Sequence, residues 1–170
     1  MFPYSLFPYS LLPYILILRP GICLGILILV VLSTYIASPQ EFLWVPALLG
    51  GIGVALAAGA GTVVNDTFDW RRDKINNPRR MIPDRLLMPE DARIYYIALT
   101  AISLLLLWFV NMTAFLVGVA CWASLFFYSW KLREINGLLS NSVVAMNVGL
   151  ALSFGAFITG HYTLVMGFLF

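Results

Sequence analysis

Long apolar runs dominate the chain and are separated by short polar stretches. Five runs approach the length of about 20 apolar residues that a membrane-spanning helix needs. They cover about residues 20–37, 42–64, 94–110, 114–130 and 139–158, and a sixth begins near residue 162. No run alternates apolar and polar residues as the strands of a membrane barrel do. The pattern therefore predicts an all-α, multi-pass transmembrane bundle of about five full helices and the start of a sixth.

The first fourteen residues differ from the runs that follow. The tetrapeptide Phe-Pro-Tyr-Ser occurs twice, and Pro3, Pro8 and Pro13 are spaced so as to disfavour a regular helix until after Pro13. Tyrosine suits a membrane interface, because its ring is apolar and its hydroxyl stays hydrated. We therefore expect residues 1–14 to form an interfacial lead-in and residues 15–170 to form the transmembrane domain.

The charged residues are concentrated in one segment. Only 11% of the chain is charged and 61% is hydrophobic, a composition that excludes an ordinary soluble domain. Seven of the ten basic residues and six of the eight acidic residues lie in the polar segment 65–93. The loops predicted at the other end of the helices, 38–41, 111–113 and 160–163, contain no Lys or Arg. By the positive-inside rule, the segment 65–93 is predicted to face the cytoplasm.

Three aspartates follow the second apolar run at helical spacing. Asp66, Asp69 and Asp73 stand at i, i+3 and i+7, so a helix would place them on one face, flanked by Asn65. Clustered carboxylates repel each other unless a cation neutralises them, and oxygen ligands of this kind suit Mg²⁺ bound together with substrate phosphates. Nearby bases such as Lys74 would suit a diphosphate. The alternative is a solvated loop of mixed charge.

Small residues are frequent in the second apolar run, which contains Gly50, Gly51, Gly53, Gly59 and Gly61 among several alanines. Small side chains let neighbouring transmembrane helices approach closely. A slim helix would also leave room beside it for a long lipid substrate, and the two interpretations are compatible. In the fifth run, Asn147 is predicted to make a hydrogen bond between helices.

The aspartate segment resembles a known motif. Residues 65–73 are similar to NDxxDxxxD, the first aspartate-rich motif of the UbiA superfamily of intramembrane prenyltransferases. The resemblance extends, in order, over about residues 19–155. Its other elements are Arg19-Pro20, Asn77-Pro78-x-Arg80 with Ile82-Pro83, residues 89–93, and Tyr128-Ser129-x-x-Leu132-Arg133 followed by Gly137 and Asn141.

The resemblance implies a prenyltransferase that moves a polyprenyl group from a prenyl diphosphate to an aromatic or lipid acceptor. Mg²⁺ would be held by Asn65, Asp66, Asp69 and Asp73, and the three aspartates would be the catalytic residues. Diphosphate ionisation would give an allylic cation, to which Tyr128 and Trp130 could offer ring faces. An interfacial role suits Trp130 better. The substrate-binding residues would be Arg19, Asn65, Lys74, Arg80, Tyr128, Lys131, Arg133 and Asn141. The other implied partner is membrane lipid, with no nucleic acid.

Two departures from the family pattern bear on activity. Met81 replaces a proline, and Asp84-Arg85-Leu86 replaces Ser-Gly-Arg, which leaves the acceptor open. After Asp91 the only acid is Glu134, so a second aspartate-rich motif has no counterpart. We therefore expect a fragment with little transferase activity alone, a chain whose second half comes from another chain, or a degenerate prenyl-lipid-binding protein without turnover.

Two further classes of membrane protein fit the sequence less well. A small membrane transporter is a less suitable alternative, since its charges would lie inside the membrane. A lipid-phosphate transferase would carry the motif D-G-x-x-A-R. The segment Asp69-Trp70-Arg71-Arg72 has neither the glycine nor the alanine of that motif.

Overall fold

The computed structural model describes residues 11–132 and 137–161. The helices are α1 (Leu12–Ile17), α2 (Pro20–Ala37), α3 (Trp44–Asn76), α4 (Pro89–Val110), α5 (Met112–Phe127) and α6 (Gly137–Thr159), and α5 continues as a π-helical turn, Tyr128–Leu132. In this part of the chain, five helices are long and apolar enough to cross a membrane: α2, α3, α4, α5 with its π-helical turn, and α6. The predicted multi-pass helical bundle is confirmed. The start of a sixth apolar run and most of the N-terminal lead-in lie outside the described residues.

Helix α3 runs well past the predicted end of its apolar segment. Its 33 residues correspond to about 50 Å, more than the roughly 30 Å of a bilayer core. The additional turns carry the three aspartates, whose residues are only 6% (Asp66), 9% (Asp69) and 5% (Asp73) exposed. The aspartates therefore lie on a buried helix face rather than in a solvated loop. We call the end of the bundle that carries them the polar end.

The small residues of α3 permit close helix packing and also line a cavity. A Cβ at Gly53 would lie 2.9 Å from Leu107 Cδ2, and one at Gly59 would lie 2.8 Å from Leu18 Cδ2, so these glycines permit close helix packing. Ser103 Oγ donates to the Gly53 carbonyl at 2.7 Å and fixes α4 against α3. Nearer the polar end, Gly61 lines a cavity together with neighbouring alanines.

The polar segment is anchored to the bundle by apolar side chains. Ile82 and Leu87, in the connection between α3 and α4, are each 4% exposed and pack in one cluster with Ile17 of α1. Helix α1 begins at Leu12, one residue before Pro13, because proline is tolerated in a first helical turn. Thr62 Oγ1 donates to the Ile17 carbonyl at 3.0 Å and ties α1 to α3. This cluster holds the connection beside the aspartates.

The opposite end of the bundle is closed by one side chain of the α4–α5 turn. Asn111 Oδ1 accepts from the Ala114 backbone N–H at 2.8 Å and caps α5. Its Nδ2 donates to the carbonyls of Phe157 and Ile158, at 3.0 and 3.1 Å, near the end of α6. The turn and the end of α6 therefore lie together, as the five-helix topology requires.

Replacing Gly155 with alanine is expected to destabilise the bundle. Gly155 N–H donates to Ser33 Oγ at 2.8 Å, and a Cβ here would overlap the backbone of Ser33 and Thr34. Overpacking of this kind costs about 1–3 kcal/mol, so the thermal midpoint in detergent should fall. The matched control is Gly149→Ala on the same helix, where a Cβ would meet nothing within 4 Å. Equal midpoints for the two variants would show that α2 and α6 do not cross at Gly155.

Candidate functional site

Two buried aspartates at the polar end share one arginine. Arg80 Nη1 lies 3.0 Å from Asp66 Oδ1 and 2.6 Å from Asp73 Oδ2. Arg19 Nη2 lies 3.1 Å from the same Asp66 oxygen, and the Asn65 side chain also hydrogen-bonds to Asp66. The two carboxylates thus converge on a single cationic nitrogen. The structure brings together the two ends of the aspartate motif and two basic residues that the sequence resemblance assigned to substrate binding.

Arg19 reaches this position through an unusual backbone conformation. It caps the start of α2 with φ 54° and ψ 71°, in the left-handed region, directly before Pro20. That conformation costs a non-glycine residue about 1–2 kcal/mol, and the following proline restricts it further. The turn lies between α1 and α2, where the guanidinium contacts Asp66. Strain of this kind concentrates at functional sites, which supports a functional role for Arg19.

Asp69 is held separately from the other two aspartates. Its Oδ1 lies 3.5 Å from Arg72 Nη1, whose side chain is 48% exposed, so this ion pair is weak. Within the described residues, no group of three or more His, Cys, Asp or Glu side chains is close enough together to hold a metal ion. The donor chemistry nevertheless fits Mg²⁺, which binds through one or two carboxylates and substrate phosphates. Asp66 and Asp73, which already face one cation, are the pair that fits best.

An elongated cavity of about 280 Å³ opens beside this cluster. Arg19, Asn65 and Tyr128 line it at the polar end, and Leu107 and Phe154 line it at the far end. Helices α2, α3, α5 and α6 form its walls, which are mainly apolar. Small side chains on α3 keep it open, namely Ala57, Ala58 and Gly61. The arrangement can hold an apolar chain with an anionic group at Arg19.

The remaining predicted site residues are distributed less tightly. Lys74 Nζ lies 4.3 Å from the centroid of the Trp70 ring, a cation–π contact on the surface of α3. Lys131 is exposed in the π-helical turn, and Asn141 is exposed near the start of α6, outside the cavity lining of the described residues. Arg133 lies outside the described residues. The assignment of Lys74, Lys131 and Asn141 to substrate binding stays a prediction.

Two aromatic residues near the cavity mouth differ in their surroundings. Tyr128 lines the cavity, whereas Trp130 is 54% exposed and packs near Phe127, with ring centroids 6.2 Å apart. The exposure of Trp130 agrees with the interfacial role that the sequence favoured for it. Of these two residues, Tyr128 is the one that lines the cavity.

Several cavity residues were not recognised as site residues from the sequence. Asn147 was predicted to bond between helices, and its Nδ2 does donate to Ser124 Oγ of α5 at 2.9 Å. It also lines the cavity, as do Ile22, Ile26 and Val148. An apolar run does not reveal which of its faces meets a cavity and which meets lipid. The only sequence signal for the cavity was the abundance of small residues in α3.

Comparisons with known proteins identify the family of this chain. A model of the UbiA prenyltransferase family matches residues 26–170. Digeranylgeranylglyceryl phosphate synthase of Thermococcus kodakarensis is 34% identical over 145 residues, which are 85% of this chain and 52% of that protein. The enzyme of the same name from Methanothermobacter thermautotrophicus is 33% identical over 154 residues, 89% of this chain and 53% of that protein.

A solved structure extends the likeness to three dimensions. It is described as digeranylgeranylglyceryl phosphate synthase in membranes, and it superposes with a TM-score of 0.83 at 26% identity. The match covers 87% of this chain and 53% of the solved chain. The chain thus spans about half the length of the relatives that it matches. With the family model covering most of its length, the chain belongs to the UbiA prenyltransferase family.

Proposed function

We propose that this chain binds a prenyl diphosphate with Mg²⁺ and takes part in transferring its prenyl group to a lipid acceptor. One observation carries the proposal. Two buried carboxylates and two arginines form one charged cluster, and Arg19 of this cluster also lines an apolar cavity. A prenyl diphosphate has the same division into an anionic head and an apolar chain. Its head would meet the charged cluster while its chain fills the cavity.

Asp66 and Asp73 would hold the metal, with Asn65 and Asp69 beside them. When bound, Mg²⁺ supplies positive charge that stabilises the diphosphate as a leaving group. The guanidinium groups of Arg19 and Arg80, which pair with the carboxylates in this structure, would donate hydrogen bonds to diphosphate oxygens. Pre-placed donors of this kind act most strongly where water is excluded.

The cavity residues would act on the prenyl chain. The apolar wall of the cavity would exclude water from one carbon of the chain. This carbon becomes cationic when its bond to the diphosphate oxygen breaks. Tyr128 lines the cavity near Asn65 and could offer its ring to that cation. An acceptor hydroxyl oxygen would then form a bond to the same carbon, and its proton would pass to the released diphosphate.

The names of the relatives favour one acceptor class among those that the sequence left open. The product in these names, digeranylgeranylglyceryl phosphate, carries two geranylgeranyl groups on a glyceryl phosphate. We therefore propose that the donor is geranylgeranyl diphosphate and that the acceptor is a hydroxyl of geranylgeranylglyceryl phosphate. The polar end would face the cytoplasm, as the distribution of basic residues predicts.

The acceptor class can be tested with the purified chain in detergent. A fluorescent prenyl diphosphate analogue is bound in the presence of Mg²⁺, and geranylgeranylglyceryl phosphate or 4-hydroxybenzoate is then added. We expect the lipid phosphate to change the affinity for the analogue at micromolar concentrations and hydroxybenzoate to have no effect. A response to hydroxybenzoate alone would overturn the proposed acceptor but leave the proposed donor intact.

A further inference from the structure

Two large side chains, Leu107 and Phe154, line the end of the cavity farthest from the charged cluster. On each of the four wall helices, the lining residue farthest from the polar end lies at this level: Ile26, Val54, Gly118 and Phe154. Leu107 is the one described α4 residue in the lining, and it enters at the same level. We call Leu107 and Phe154 the floor of the cavity, and both belong to a cluster of buried residues against which Ile26 and Val54 pack.

The floor is tightly packed. Leu107 is 0% exposed and fits between Gly53 and Gly118, where added Cβ atoms would meet its side chain. Phe154 is 2% exposed and makes an edge-on contact with Phe157, with ring centroids 6.1 Å apart. Closely packed interiors resist expansion, so these two side chains will not move aside at low cost for a longer ligand.

The distance from the charged cluster to the floor is fixed by α3. Asn65 lines the mouth and Val54 lines the cavity at the level of the floor, eleven positions apart on one helix. At 1.5 Å per residue this separation is about 16 Å. A chain that runs along α3 from a diphosphate held at the mouth therefore meets Phe154 and Leu107 after about this distance.

We propose that Phe154 and Leu107 limit the length of the prenyl chain that the cavity accepts. This inference rests on the proposed function, since it takes the cavity to be the donor site. The substrates that it selects are prenyl diphosphates whose chains reach no farther than Phe154 and Leu107. A donor with additional isoprene units would leave them outside the cavity, where they add nothing to affinity.

Replacing Phe154 with alanine tests the floor directly. Mg²⁺-dependent binding of farnesyl, geranylgeranyl and farnesylgeranyl diphosphate is measured with protein in detergent. We expect Phe154→Ala to raise the affinity for the longest donor relative to geranylgeranyl diphosphate by about tenfold, as pocket-size discrimination commonly gives. Phe157→Ala is the matched control, because this phenylalanine packs against the same cluster outside the cavity lining.

A second variant changes the cavity in the opposite direction and does not depend on the stability of the first. Ala58 lines the cavity between mouth and floor, so Ala58→Leu should shorten it. We expect the affinity of this variant for geranylgeranyl diphosphate to fall by about tenfold. Its affinity for donors that end before the new obstruction should be unchanged.

The outcomes separate the inference from the proposed function. If both cavity variants keep Mg²⁺-dependent binding and the wild-type ratios of affinity among the three donors, the floor does not limit chain length, and the proposed function is unaffected. A wild-type chain that binds no prenyl diphosphate would overturn the proposed function and the inference with it. Opposite shifts in the two variants, with the Phe157→Ala ratio unchanged, would establish the floor.

Discussion

Replacing Asp66 with asparagine is expected to weaken Mg²⁺-dependent binding of geranylgeranyl diphosphate by at least about a hundredfold, which is within the range for a broken buried charge pair. Asp66 is 6% exposed, and its Oδ1 is shared by Arg19 and Arg80. Asparagine is nearly the same size but carries no charge. It would weaken both the proposed metal site and the placement of two arginines. Isothermal titration in detergent, with and without Mg²⁺, measures the effect.

The control for this variant is Asp84→Asn. Asp84 belongs to the same polar segment, but it is exposed. The Asp84→Asn variant should bind geranylgeranyl diphosphate with the same affinity as the wild-type chain. If both variants lose affinity equally, the effect comes from the net charge of the segment, and Asp66 has no specific part in binding.

Replacing Arg80 with alanine is expected to reduce both stability and affinity. The side chains of Asp66 and Asp73 are 8% and 7% exposed, and Arg80 bridges them. Removing one partner of a buried ion pair costs about 3–5 kcal/mol, and the cost here should be near 2–3 kcal/mol because Arg19 remains beside Asp66. The fall in thermal midpoint should be partly reversed by millimolar Mg²⁺, since a cation between the carboxylates restores neutrality.

The same measurement separates charge from geometry. Arg80→Lys should be intermediate, because one ammonium group does not reproduce the fork of a guanidinium. Arg79→Ala is the control, since Arg79 is the exposed neighbour in sequence. If Mg²⁺ raises the midpoint of the wild type and of Arg80→Ala by the same amount, the two aspartates are not a metal site.

Much of this arrangement could be predicted from the sequence because it depends on local spacing. Apolar runs set the number of crossing helices, and the i, i+3, i+7 spacing placed the three aspartates on one face of α3. The family resemblance, carried by Asn65, Arg19-Pro20 and other short elements, is confirmed by the family match over residues 26–170.

Other features depend on contacts between distant residues and could not be predicted. Arg19 and Asp66 are 47 positions apart, and their contact requires a left-handed turn that composition does not encode. The bridge from Arg80 depends on a connection anchored by the burial of Ile82. The floor at Phe154 depends on how α4 and α6 pack, and an apolar run does not contain that information.

The most direct test compares geranylgeranyl diphosphate with geranylgeraniol, its uncharged alcohol, as ligands of the wild-type chain in detergent. Affinity for the diphosphate should rise by at least about tenfold when Mg²⁺ replaces a chelator, a gain of 1.4 kcal/mol. Affinity for the alcohol should not respond to Mg²⁺. Equal binding of the two ligands, or diphosphate binding that ignores Mg²⁺, would contradict a metal-assisted diphosphate site at Asp66 and Asp73.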